Sequence, residues 1–297
     1  MAPTASRQAT SRPPASHPPA SRSSAILGDA DFRYVTELAR QRTGIQLNDG
    51  KRDLVQARLV KRLRVLGLSG VKEYVDLLRS PKGEEEMVGL VNALTTNVTA
   101  FYRERHHFDH LASVVAAPWR ARGGGRLRLW SAACSTGEEP YSMALTLLKT
   151  APDAVQRGAR ILATDLDTTA LDRADAGLYR GEAVRGAVPA ELRRHFEPCG
   201  QEHVTVGREP RALVSFGHLN LLEPWPVKGP FDAIFCRNVM IYFDRETKTT
   251  LCGRLAALLR PGGFLYLGHS ESLLDRRIPL RPVGGTIYQR IAPEGEI

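Results

Sequence analysis

Apolar residues recur at intervals of three and four through the first third of the chain, and then gather into short apolar blocks separated by helical stretches. Phe32, Val35, Leu38 and Ala39 mark a first helix, with Asp29 or Asp31 placed to cap it. In a second helix over 51–64, Val55, Leu59, Leu63 and Leu66 share one stripe of a 3.6-residue wheel, while Lys51, Arg58, Lys61 and Arg62 share the opposite side. One face packs and the other is positive. A break from Gly67 to Gly70 leads to Tyr74, Leu77 and Leu78, a turn at Ser80-Pro81-Lys82-Gly83, and a helix from Glu84 to Leu94. The pattern predicts an all-helical domain over 25–94, then a joining segment with a helix over 95–125.

From Arg126 the rhythm changes to strands alternating with helices, which predicts an open α/β sheet over 126–292. The expected strands are 127–131, 160–164, 212–216, 231–236 and 264–267, with a short one at 204–206. The irregular text between Arg180 and Arg211 reads as an insertion rather than a crossover helix. No internal repeat is present in the sequence.

Composition sharpens this picture in three places. With 297 residues and 42% hydrophobic residues the chain is long enough for more than one core, and no run approaches the ~20 apolar residues of a membrane helix or the apolar centre of a secretory signal. A cytoplasmic location is expected. Cys134, Cys199, Cys236 and Cys252 are scattered without a C-x-x-C pair, which points to neither zinc nor a disulfide framework. The formal charge of +9 invites a nucleic-acid partner, yet Arg7, Arg12 and Arg22 all lie in residues 1–24, a Pro/Ser/Ala/Thr-rich stretch without acids that is expected to be a disordered tail.

Chemistry concentrates where strands end. In doubly wound sheets a ligand lies beyond the carboxyl ends of the strands, and the first strand-to-helix turn approaches it closely. Here that turn is Ala132-Ala133-Cys134-Ser135-Thr136-Gly137, followed by Glu138 and Glu139. It is neither G-x-G-x-x-G nor a P-loop, and carboxylates beside it disfavour a pyrophosphate. They suit a ligand carrying an amine and a sulfonium, or they simply complement the helix dipole. Asp165 at the end of the second strand is placed to accept from ribose hydroxyls, and Asp167 to cap the next helix. Asn238 arrives where the apolar run Phe231 to Cys236 ends, with Tyr242 four residues later.

Four blocks in order, 95–104 (T-T-N-V-T-A-F-Y-R-E), 136–142 (T-G-E-E-P-Y-S), 235–243 (F-C-R-N-V-M-I-Y-F) and 268–271 (G-H-S-E), resemble the CheR family of chemoreceptor glutamate methyltransferases, and the likeness spans about residues 27–290. The resemblance implies a Rossmann-like class I methyltransferase domain preceded by an all-α domain, with 180–215 forming a small antiparallel β-subdomain. It implies transfer of methyl from S-adenosylmethionine to receptor glutamates, leaving S-adenosylhomocysteine and γ-methyl esters. By the same likeness Asn97, Thr99, Arg103, Glu138 or Glu139, Asp165, Asn220, Leu221, Asn238 and Val239 hold the cofactor, and Arg103 and Tyr242 stand beside the reacting carboxylate. Arg58, Lys61, Arg62 and Arg64 are expected to dock the acidic methylation helices of cytoplasmic receptor domains. The span 196–216 is short beside members that hold a receptor tether peptide, so methylation without a tether is expected. A monomer is expected too, since no heptad or exposed apolar stripe is evident.

A glutamate is ionised near neutral pH, with a reference pKa of ~4.3, so the reaction needs no general base and no metal. His106 and His110 have i, i+4 spacing without a third ligand, and His269 reads as a strand-end residue satisfied by backbone. The rival readings are a nucleic-acid methyltransferase, against which stands the lack of an N/D-P-P-Y motif, and a module that binds the cofactor without turnover.

Overall fold

The computed structural model describes residues 27–273 and 275–292. The tail expected over 1–24 lies outside them. Four helices open the fold: α1 (Asp29–Thr43), α2 (Arg52–Leu66), α3 (Val71–Arg79) and α4 (Gly83–Leu94). The predicted stripe is the buried one, with Val55 and Leu59 fully enclosed and Leu63 nearly so, packed with Phe32, Val35, Tyr74 and Leu90. Lys51 ends a short 3-10 turn (Asp49–Lys51) rather than starting α2. Helix α1 stops at Gly44, whose left-handed φ of 71° lets its N–H return to the Arg40 carbonyl at 2.8 Å.

The positive side of α2 is not a free docking face. Arg62 makes two bonds to Glu86, Nε to Oε1 at 2.7 Å and Nη2 to Oε2 at 2.6 Å, and the Tyr74 hydroxyl donates to the same carboxylate at 2.7 Å. Arg58 donates to the Leu94 carbonyl and, at 2.8 Å, to Thr96 Oγ1. Both guanidiniums therefore tie α2 to α4 and its exit, and only Lys61 and Arg64 of the four predicted docking residues are exposed. Sequence periodicity could not expose this, because the pairing partner Glu86 is 24 residues away.

The joining segment runs into α5 (His106–His110), a π-helical turn (Leu111–Ala116) and α6 (Ala117–Ala121). Phe108, Leu111, Val115 and Trp119 of this stretch pack on one side of the main sheet. That sheet is built from β1 (Leu127–Ser131), β2 (Ala159–Asp165), β6 (Val214–His218), β7 (Phe231–Cys236), β8 (Leu259–Leu267), β9 (Leu280–Gly284) and β10 (Ile287–Arg290). Its order is β6-β2-β1-β7-β8-β10-β9, with the first five strands parallel and β10 antiparallel to both neighbours. Helices α7 (Glu138–Thr150), α8 (Thr168–Ala176) and α11 (Arg245–Leu258) supply crossovers, as the alternation of strand and helix predicts.

The insertion is a three-stranded antiparallel sheet, β3 (Leu178–Arg180), β5 (His203–Val206) and β4 (Phe196–Cys199) in that spatial order, accompanied by short helices α9 (Gly181–Ala187) and α10 (Arg208–Leu213). Strands of three or four residues give too few positions for alternation to register. The β9–β10 hairpin is not predicted either: β9 is exposed at every position after Leu280 and so shows no alternation, and β10 has only four residues.

Because Glu86 is nearly buried, replacing Arg62 with Met leaves a carboxylate without its cation. Arg62→Met is expected to destabilise the protein by about 3 kcal/mol. Adding Glu86→Gln, which keeps an acceptor for Tyr74, should recover a large part in urea unfolding.

Candidate active site

A cleft of about 1080 Å³, counting its open mouth, lies over the carboxyl ends of the parallel strands. Three parts of the chain wall it: the strand-end loops, the joining segment from Leu94 to Arg103, and the N-terminal domain through Thr43, Ile45, Leu47, Lys51 and Leu54. Of the predicted site residues, Asn97, Thr99, Arg103, Glu139, Asp165, Asn220, Leu221, Asn238, Val239 and Tyr242 line it. Glu138 does not: its carboxylate accepts from Thr136 Oγ1 at 2.7 Å. The sequence left the pair undecided, and it is Glu139 that reaches the cleft. Arg58, Lys61, Arg62 and Arg64 are not among its walls.

The floor is made by the turn after β1. Ser135 takes φ 49° and Gly137 φ 97°, and a Cβ on Gly137 would come within 3.0 Å of the Ala174 backbone, so only glycine allows α7 to start there. The Ser135 amide donates to Asp165 Oδ2 at 2.7 Å, while Asp165 Oδ1 accepts from the Asp167 amide at 2.9 Å. Burial raises the Asp165 pKa, and those backbone donors work against the rise. The Ser135 hydroxyl is buried with no hydrogen-bond partner. Cys134 and Cys236 are buried thiols whose pKa burial pushes well above the usual range, which removes both as nucleophiles.

Asp167 caps α8 as the sequence predicts, accepting from the Thr169 and Ala170 amides at 2.9 and 3.1 Å. Its other oxygen accepts from Thr95 Oγ1 and Asn97 Nδ2, both at 2.6 Å, so one carboxylate fastens the joining segment to the sheet. Asn220 is likewise a tie. Its amide nitrogen donates to the Arg42 carbonyl at 2.9 Å and to Glu223 at 3.1 Å, leaving it to wall the cleft rather than to donate into it.

The residue that sequence reasoning missed is Arg237. Its side chain is 2% exposed, and it pairs with Glu139 at 3.0 Å and Glu104 at 3.4 Å while donating to the Arg103 carbonyl. The available signal was an arginine directly after the apolar run Ala233-Ile234-Phe235-Cys236, a position where an unpaired charge would be costly. Glu139 also accepts from Ser131 Oγ at 2.7 Å; burial raises its pKa against the pull of Arg237. Glu271 is a second unrecognised anchor, gathering the amides of Asn238, Met240 and Gly268 at 2.7 to 2.8 Å. It holds Asn238 in a left-handed φ of 58°.

Arg103 sits between two other left-handed residues, Tyr102 (φ 54°) and Glu104 (φ 57°), and donates to the Val98 carbonyl at 2.8 Å. No carboxylate pairs with it among the described residues. Its neighbour Glu104 turns to Arg237 and to His269 Nδ1, 3.1 Å away, so His269 is satisfied by a carboxylate rather than by backbone. His106 and His107 both meet the Gly285 carbonyl, at 2.9 and 2.8 Å, and His110 meets the Tyr266 hydroxyl at 2.8 Å. Among the described residues no group of three ligating side chains comes together.

Residues 30–95 match the CheR methyltransferase all-alpha domain, and residues 97–289 match the CheR methyltransferase SAM binding domain. The chain belongs to the CheR methyltransferase family. The Escherichia coli (strain K12) chemotaxis protein methyltransferase is 47% identical over 268 residues, covering 88% of this chain and 91% of that protein. Chemotaxis protein methyltransferase 2 of Pseudomonas aeruginosa is 45% identical over 263 residues, covering 87% and 92%. A Vibrio cholerae relative, chemotaxis protein methyltransferase 1, is 36% identical over 273 residues, covering 90% and 99%.

This CheR methyltransferase uses S-adenosylmethionine, and its cleft fits that donor: buried carboxylates at Glu139 and Asp165, and an unpartnered hydroxyl at Ser135. No helix among the described residues is long and apolar enough to cross a membrane.

Burial drives the His107 pKa down to about 4, with Arg237 adding to the effect. The unfolded chain takes a proton near 6.5 and the folded one does not until about 4, so stability is intact above 6.5 and is lost as pH falls toward 4. The difference amounts to about 3 kcal/mol at most. Thermal midpoints measured from pH 7 to 4.5 should fall with acid, and His107→Gln should show a shallower fall than the parent.

Proposed function

We propose that the protein transfers the methyl group of S-adenosylmethionine to glutamate side chains of chemoreceptors, forming γ-methyl esters in the cytoplasm. The observation that carries this reading is the polarity of the cleft. Its floor is acidic, at Glu139 and Asp165, while Arg103, which lines the same cleft as Tyr242, has no acid partner among the described residues. Such a site sorts a cation to the bottom and an anion to the mouth. The names of the relatives, chemotaxis protein methyltransferases, support the same substrate class.

When bound, S-adenosylmethionine supplies an electrophilic methyl group on a positively charged sulfur. Asp165 would accept from its ribose, Glu139 and Ser135 would face its polar end, and Asn97, Thr99, Leu221, Asn238 and Val239 would complete the walls. Arg103 and Tyr242 orient the substrate carboxylate, which is already ionised and needs no base. Their work is alignment and exclusion of water, an effect that reaches ~7 to 11 kcal/mol in well-oriented systems. Because the attacking oxygen loses charge as it reacts, a rigid ion pair would hold back the reaction, and Arg103 serves best as a guide shared with the Tyr242 hydroxyl. Lys61 and Arg64 remain as exposed cations for steering acidic helices; Arg58 and Arg62 are withdrawn from that role by their internal bonds.

The test is tritiated S-adenosylmethionine with receptor membranes. Label released as methanol by alkali marks carboxyl esters, whereas alkali-stable label would refute the glutamate reading and favour an amine or base acceptor. In the same assay Arg103→Ala should lower kcat/KM by about 100-fold and Tyr242→Phe kcat by about tenfold, on the scale of lost transition-state donors.

A further inference from the structure

We propose that Lys51, delivered by the N-terminal domain, receives the incoming carboxylate at the cleft mouth and so makes the helical domain a specificity-determining part of the active site. The inference rests on the glutamate reading above. Three ties fix the position of Lys51. Gly44 turns the chain out of α1 at its left-handed φ, with its backbone against the Leu222 and Phe243 side chains. The Gln46 amide donates to the Tyr242 carbonyl at 3.0 Å, and the Lys51 amide closes the 3-10 turn onto the Asn48 carbonyl at 2.9 Å. The outcome is a half-buried ammonium 5.2 Å from the centre of the Tyr242 ring.

Among the described residues, Lys51 and Arg103 are the cations lining the cleft that have no carboxylate partner, Arg103 bonding to the Val98 carbonyl; the other cations nearby are accounted for. Arg52 pairs with Asp29 at 3.0 Å, Arg62 with Glu86, and Arg58 with backbone and Thr96; Arg237 lies between two glutamates. Lys51 has no carboxylate partner among the described residues, although it faces the cleft. Leu54, 41% exposed, and Val98, 75% exposed, flank the same mouth and give it apolar lips. An anion arriving there meets a compact ammonium over the Tyr242 ring, with fewer waters to screen it.

Chemistry favours a lysine for this duty. The carboxylate is charged before reaction and the ester is neutral afterwards, so an ammonium holds the substrate, lets the product go, and offers little to the neutral amide of a glutamine. Its contribution belongs to ground-state capture, and its loss should appear in KM rather than in kcat.

The experiment uses the full chain with receptor membranes. Lys51→Met, which keeps the apolar stem, is expected to raise KM for receptor about tenfold with kcat within about twofold, while Lys51→Arg stays within about threefold of the parent. Co-sedimentation with the membranes should weaken for Lys51→Met in step with KM. Calorimetry with S-adenosylhomocysteine should give unchanged affinity for both variants. A KM for Lys51→Met within twofold of the parent would overturn the proposal. So would a rise matched by an equal loss of S-adenosylhomocysteine affinity, which would mark Lys51 as mere wall. Failure of the parent protein to form alkali-labile esters is a separate result, and removes the glutamate reading together with this inference.

Discussion

The buried guanidinium of Arg237 is the constraint on which the site depends. It joins three pieces of chain that are far apart in sequence: Glu139 at the start of α7, Glu104 and the Arg103 carbonyl in the joining segment, and its own position at the end of β7. Placing an arginine at 2% exposure is costly unless its partners are fixed, and removing either partner would strand a charge in low dielectric. Two carboxylates face this one cation, so the assembly keeps an excess of negative charge behind the loop that follows β1. Burial also raises the pKa of Glu139 and of Asp165, a cost for the free protein that a cationic sulfur compound lying above them offsets.

The same cluster explains where backbone strain collects. Tyr102, Glu104, Ser135 and Asn238 all take left-handed φ values without being glycine, at a cost of about 1 to 2 kcal/mol each. Each is held by a named bond: Tyr102 by its amide to Ser142 Oγ at 3.0 Å, Ser135 by Asp165, Asn238 by Glu271, and Glu104 by Arg237 and His269. The rigid order of the loops is therefore stored in hydrogen bonds among carboxylates and amides rather than in apolar packing.

Much of this was legible in the chain because local periodicity carries it. Val55, Leu59 and Leu63 announce the buried stripe of α2, and Asp167 announces the start of α8 from its place before Thr168. The apolar block Phe231 to Cys236 gives β7 to the residue. What was hidden depends on partners remote in sequence: Arg62 with Glu86, Arg58 with the Leu94 carbonyl, and Arg237 with Glu139 98 residues earlier. An exposed basic face and a set of internal ties look alike on a helical wheel. Glu138 and Glu139 are alike in composition too, and only the direction of the first turn of α7 separates them.

The two domains also cannot be treated as a binding module with a catalytic module attached. The Gln46 amide meets the Tyr242 carbonyl, Asn220 meets the Arg42 carbonyl, Asn92 donates to Thr168 Oγ1 at 2.8 Å, and Thr95 meets Asp167. Four bonds from four elements bring residues 43–54 over the cleft, so the helical domain forms its outer wall. A ligand held there touches both domains at once, and its binding free energy then stabilises their association as well as each fold. The consequence runs in the other direction as well. Anything that loosens the helical domain, including the loss of a buried pair as distant as Arg62 and Glu86, weakens the wall that the substrate must pass, so stability of the bundle and access to the strand ends are one coupled property.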